Sequence, residues 1–111
     1  MPRSLQAWAG ELVGTFMFVT VICGSVVLVT SGVANIGLVG VGIAHIFGLG
    51  TVITAFAAIS GGHLNPAVTL SAWIGRKISA ADALGYAACQ ILGALGAGVV
   101  LRVTTGIATV P

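Results

Sequence analysis

The 111-residue chain is 58% hydrophobic and only 5% charged, against about 25% charged residues in an ordinary soluble domain. A surface of that composition cannot be kept in water. Its net charge of +2, from Arg3, Arg76, Lys77 and Arg102 against Glu11 and Asp82, is too sparse to track a phosphate backbone, so nucleic acid is excluded as a partner.

The expected fold class is an all-α membrane protein: three transmembrane helices plus one re-entrant half-helix, in a single unit over residues 1–111. The first apolar stretch runs from about Ala7 to Thr30. A signal-peptide core is about 7 to 15 residues long, whereas the stretch from Leu12 to Thr30 is longer and follows the acidic Glu11. A retained transmembrane helix is the expectation. After a short turn, Ser31-Gly32-Val33-Ala34-Asn35, a second stretch covers about Ile36 to Ala58, and a third covers about Ala81 to Val103. Each meets the roughly 20 residues a helix needs to cross about 30 Å of hydrocarbon.

Residues 59–75 form a connection of another kind. It carries Ala67, Val68, Leu70, Ala72, Trp73 and Ile74, too apolar for a solvated loop and too short for a further span. It is expected to dip into the membrane and return. Irregular backbone at that depth is tolerated only where protein or a water-filled cavity satisfies its polar groups, so a pore or binding cavity is implied. Glycines within the spans, including the four-residue step from Gly10 to Gly14, read as sites of close helix packing. Cys23 and Cys89 lie in apolar stretches without metal-ligand or disulfide spacing and read as small buried hydrophobes. Placing Arg3, Arg76 and Lys77 on one side and Arg102 on the other favours a cytoplasmic N-terminus.

The informative segment is Ser60-Gly61-Gly62-His63-Leu64-Asn65-Pro66-Ala67-Val68-Thr69. Asn is a favoured helix N-cap and Pro fits the first helical position, so a half-helix should begin at Asn65. From Pro66 to about Gly75 it would span about 15 Å, half the hydrocarbon thickness, with its N-terminus near the midplane. There the positive end of the helix dipole and any Asn65 amide hydrogens not used in capping face whatever passes. Such a donor in a positive field suits a neutral polar solute and opposes cations and protons.

This segment resembles the first signature of the major intrinsic protein family, the aquaporins and glycerol facilitators. The resemblance extends to Glu11-Leu12-Val13-Gly14-Thr15-Phe16 in the first span and to Gln90 with Gly93-Ala94 in the third, nearly the whole chain. It implies a passive channel for water and small neutral solutes, with Asn65, Pro66 and Ala67 as the pore signature. Family members place a selectivity-filter residue on the second helix twenty positions before the signature Asn, which arrives at His45. A histidine there is similar to vacuolar-membrane plant aquaporins and their ammonia-permeable relatives, implying water first and ammonia second. The residue pattern alone leaves open a histidine hydrogen-bonded between helices. By the same resemblance, Glu11, His63 and Gln90 support the loop: Glu11 as acceptor for its hydrogen bonds, His63 through backbone hydrogen bonds, Gln90 as a helix or loop anchor. Arg76, Lys77 and Asp82 read as interfacial anchors.

The family is built of two inverted repeats, and only the first is recognisable here. The ending at Thr109-Val110-Pro111, where the family continues, points to a fragment; the alternative is a half-size channel that pairs with an inverted copy or a separate second half. The resemblance further implies tetramers. Partners are therefore the bilayer, small neutral solutes and a second half-repeat, with the cell membrane as the default location. No cofactor or metal is expected. Glu11, His45 and His63 are ionisable, but their differing depths and the lack of a nucleophile speak against an enzyme. A nonconducting structural membrane module is the competing function.

Overall fold

A computed structural model describes residues 3–106; the Thr109-Val110-Pro111 ending lies outside the described residues. Four helices follow one another: α1 (Arg3–Thr30), α2 (Gly37–Ser60), the short α3 (Pro66–Ile74) and α4 (Ala80–Thr105). The first, second and fourth are long and apolar enough to cross a membrane, and the 44 Å long axis of the molecule matches a bilayer of about 40–45 Å with its headgroups. The chain is an integral, multi-pass membrane protein built of three spans and one half-helix.

The helix ends follow from local chemistry. α4 starts where the Ser79 hydroxyl accepts from the Asp82 amide at 3.1 Å, and it carries Asp82 in its first turn and Arg102 in its last, each complementing the helix dipole. α1 reaches back to Arg3, beyond the apolar stretch, because a spanning helix continues through the interface to the headgroups. α3 stops with Arg76 in a left-handed conformation (φ +59°), while the Lys77 amide bonds back to the Ala72 carbonyl at 2.8 Å.

Packing radiates from α1. It runs parallel to α4, with Trp8 against Gly85, Leu12 against Gly93 and Phe16 against Gly96, and antiparallel to α2, with Gly10 facing Phe56 and Ile59 and Val21 facing Gly48. Glycine is what lets these helices approach: a Cβ on Gly93 would collide with the Leu12 carbonyl oxygen and lie 3.0 Å from the Phe16 nitrogen. At the α1 and α4 N-termini the Trp8 indole donates to Asp82 at 3.0 Å.

Polarity is inverted relative to a soluble protein. The largest fully buried side chains are Gln90, Glu11 and Thr69, while Leu38, Ile46, Phe47, Leu84, Leu95 and Val103 are among the many large apolar residues left exposed. In lipid this is the stable arrangement, since hydrogen bonds and close packing rather than hydrophobic burial hold helices together. Cys23 corrects the expectation of burial: it is exposed, and Cys89 is half-buried. The reason is that α1 buries a face of small and polar residues, including Gly10, Glu11, Gly14, Thr15 and Ser25, and Cys23 falls outside it.

Candidate functional site

The polypeptide between α2 and α3 reverses direction inside the bundle. Gly61 caps α2 at φ +88° and Gly62 follows at φ +65°, conformations in which a side chain would be strained; Gly62 also sits where a Cβ would lie 3.2 Å from the Ile53 carbonyl oxygen. Leu64 is left-handed as well, at φ +57°. Asn65 then returns to an extended conformation and α3 begins at Pro66.

Such a loop exposes backbone donors where no water can satisfy them, and Glu11 supplies the acceptor. Its carboxylate is 0% exposed. Oε1 accepts from the Ser60 hydroxyl at 2.7 Å and the His63 amide at 2.9 Å; Oε2 accepts from the Leu64 amide at 2.7 Å and Gln90 Nε2 at 2.8 Å. Four donors from three separate parts of the chain thus converge on one side chain. Hydrogen bonds to a charged acceptor are the strong ones.

Around this centre lies a second ring of contacts. Gln90 Nε2 also reaches the Thr69 hydroxyl at 2.9 Å, and Thr69 shares a 3.0 Å hydrogen bond with His63 Nδ1. Tyr86 donates to the Ser60 carbonyl at 2.6 Å and sets its ring edge-on to His63, with centroids 5.0 Å apart. His63 makes a side-chain bond in addition to the backbone hydrogen bonding expected from the sequence. Its amide does bond, to Glu11, but its ring bonds the side chain of Thr69 on α3, because the left-handed turn brings the imidazole over the first turn of that helix.

At the tip of this assembly, Asn65 is divided between two tasks. Its Oδ1 accepts from the Ala67 amide at 2.8 Å, capping α3 with Pro66 in the first helical position. The Asn65 side chain is exposed, and among the described residues its NH₂ has no protein partner. It lines a cavity of about 180 Å³ together with Phe18, Leu49, Ile53, Gly62, His63, Leu64 and Val68. Apolar walls with few convergent polar groups are typical of small-molecule sites.

His45 is not among the residues lining that cavity. It stands on α2 one turn from Leu49 and two from Ile53, on the same stripe, toward the end of the bundle where α2 begins. Its Nδ1 lies 2.8 Å from the Val41 carbonyl. A carbonyl can only accept, so Nδ1 carries the hydrogen and a neutral ring leaves Nε2 as an acceptor. Arg76 and Lys77 are exposed at the end of α3; Asp82 accepts from the Trp8 indole. No cluster of three or more metal-ligating side chains occurs among the described residues.

Ser60 and Thr69 entered the sequence reading only as ends of the signature segment, with no role of their own, and Tyr86 not at all, although the three complete the network. Thr69 carried one usable signal: it lies four residues after Asn65, one turn along the same helix face. Ser60 and Tyr86 carried none, since their partners depend on how α2 and α4 cross α1.

Comparisons with known proteins identify the family. The family model described as major intrinsic protein matches residues 1–110. The chain is 42% identical to an Aquaporin Z of Photorhabdus laumondii over 89% of its length, covering 43% of that protein. It is 41% identical to a glycerol uptake facilitator protein-like 6 of Lactiplantibacillus plantarum over 88% of its length, covering 43% of that protein. It is 38% identical to Aquaporin TIP1-1 of Arabidopsis thaliana over 99% of its length, covering 46% of that protein. It thus spans less than half the length of these relatives, and over that span it belongs to the major intrinsic protein family.

Proposed function

We propose that this chain forms the first half of a passive transmembrane channel for water and small neutral solutes, with ammonia as a second permeant. The observation that carries the reading is the division of Asn65: its oxygen caps α3 and its NH₂ remains free at the wall of a cavity. A passing water or ammonia can accept from that NH₂. The α3 N-terminus adds a positive field at the same point, which favours a neutral polar solute and raises the energy of a proton or cation there.

His45 supplies a complementary acceptor further along α2, suited to the N–H or O–H donors of the same solutes. A permeant would meet His45 and Asn65 in succession. Glu11 and Gln90 act by holding the loop rather than by touching solute, and His63 holds it from the wall of the cavity. The reading makes the chain part of a channel rather than an enzyme.

The names of the similar proteins, an aquaporin and a glycerol uptake facilitator, support the solute class. Their greater length supports a second half as the partner that closes the pore, either a separate repeat or an inverted copy of this chain; tetramers of the completed unit follow from the family resemblance. A second reading, that this half is nonconducting until its partner is present, is favoured by the large exposed apolar face of α2, which buries only Val52 and Ser60.

His45→Phe tests the solute assignment. Proteoliposomes carrying the chain with a second half should keep osmotic water flux while ammonia-driven alkalinisation of the lumen falls. An unchanged ratio of the two fluxes would remove His45 from the filter.

A further inference from the structure

Leu64 is the residue immediately before the amide donor, and three independent features constrain it. Its backbone is left-handed at φ +57°, a conformation disfavoured for a residue with a Cβ. Its amide is bonded to Glu11 Oε2 at 2.7 Å. Its side chain is only 3% exposed.

The side chain is buried in a specific place. A Cβ built on Gly14 would lie 2.6 Å from Leu64 Cδ2, 3.3 Å from Phe56 Cδ2 and 3.4 Å from Val52 Cγ1. Leu64 therefore fills the space that any side chain at position 14 would need. Gly14 lies three residues after Glu11, so both are on one face of α1. The helix grips a single loop residue twice, by its amide through Glu11 and by its side chain through the opening at Gly14. The second grip shows that Gly14 is more than a point of helix approach.

We propose that Gly14 and Leu64 form a knob-and-socket pair that sets the direction of the Asn65 amide. The His63 and Leu64 amides, both held by Glu11, fix one edge of the loop and leave residue 64 free to rotate about that edge. The side-chain grip at Gly14 fixes the rotation of residue 64, and Asn65, joined to it in an extended conformation, is aimed by that rotation into the cavity lined by Phe18, Leu49 and Ile53. Gly14 and Leu64 are thus positioning residues, acting on Asn65 although Leu64 also borders the cavity; the consequence for conduction rests on the channel reading above, whereas the aiming itself does not.

The test follows the Asn65 side-chain NH₂ by nitrogen-15 NMR of the chain in lipid nanodiscs, with the Asn35 NH₂ as an internal reference and the Trp8 indole signal reporting the fold. Gly14→Ala displaces the end of a flexible side chain rather than backbone, so the fold survives and the Asn65 signal moves. In a Leu64→Ala background, where no Cδ2 remains to be displaced, adding Gly14→Ala leaves the signal where Leu64→Ala put it. Leu64→Gly relieves the backbone strain but removes the knob, and it broadens the Asn65 signal. An equal displacement by Gly14→Ala in both backgrounds, or an Asn65 signal unmoved by Leu64→Ala, overturns the proposal. Coupled signals in a protein that passes no solute would sink only the channel reading.

Discussion

Glu11 on α1 and Gln90 on α4 meet at 2.8 Å across a sequence separation of 79 residues, and the re-entrant loop hangs from the point where they meet. The carboxylate takes the loop's amides on one side and the glutamine on the other. Because Gln90 also holds Thr69, α1, α4, the loop and α3 are tied into one polar network inside an otherwise apolar bundle.

Removing that acceptor should be costly. Glu11→Ala leaves the amides of His63 and Leu64 without a partner and removes one contact each from the Ser60 hydroxyl and Gln90; a buried unsatisfied group costs about 1–3 kcal/mol in water-soluble proteins, and a lost interhelical hydrogen bond about 0.6 kcal/mol on average inside a membrane bundle. Thermal unfolding in detergent, followed by helical circular dichroism, should show a large fall in midpoint for Glu11→Ala and a smaller one for Glu11→Gln, which keeps one acceptor oxygen. An unchanged midpoint for Glu11→Ala would mean the loop does not depend on it.

Two glycines of α4 should respond in opposite ways to the same substitution. A methyl group at Gly93 meets the Leu12 carbonyl and the Phe16 nitrogen, whereas nothing lies within 4 Å of the position it would take at Gly98. Gly93→Ala should force α1 and α4 apart at about 1–3 kcal/mol, while Gly98→Ala should be neutral or stabilising by up to about 1 kcal/mol through helix propensity. The same unfolding assay separates them; equal effects would show that the α1–α4 crossing is looser than described.

Asn65 allows capping and donation to be pulled apart. Asn65→Asp keeps an oxygen for the Ala67 amide but has no NH₂, so α3 should persist while the donor disappears. Asn65→Ala loses both, and the missing cap should cost about 1 kcal/mol. Protection of the Ala67 and Val68 amides from hydrogen exchange should be retained in the first variant and weakened in the second.

Much of this was legible in the residues. Three apolar stretches of sufficient length, a connector too apolar for solvent, and Asn65-Pro66 as a helix start each rest on one-dimensional information: length, composition and the chemistry of adjacent residues. What the pattern could not give depends on how helices cross. Tyr86 reaching the Ser60 carbonyl needs α2 and α4 to cross α1 at the same end, and Trp8 reaching Asp82 needs the parallel register of α1 and α4. Gly14 read as a helix-packing glycine from its spacing to Gly10, and only the position of Leu64 shows that a loop residue fills it. Cys23 read as buried because apolar surroundings in sequence do not distinguish the inner face of a membrane helix from its lipid face.

The account centres on a free Asn65 donor at the wall of a pore, and osmotic shrinkage of proteoliposomes tests it most directly. Vesicles should carry this chain alone, or together with the second half of an aquaporin, with Asn65→Asp as the control that keeps α3 capped. The account predicts water flux above lipid leak in at least one of the two parent preparations, falling toward leak in the control. Flux equal to leak in both parent preparations, or a control that conducts as well as the parent, would contradict it.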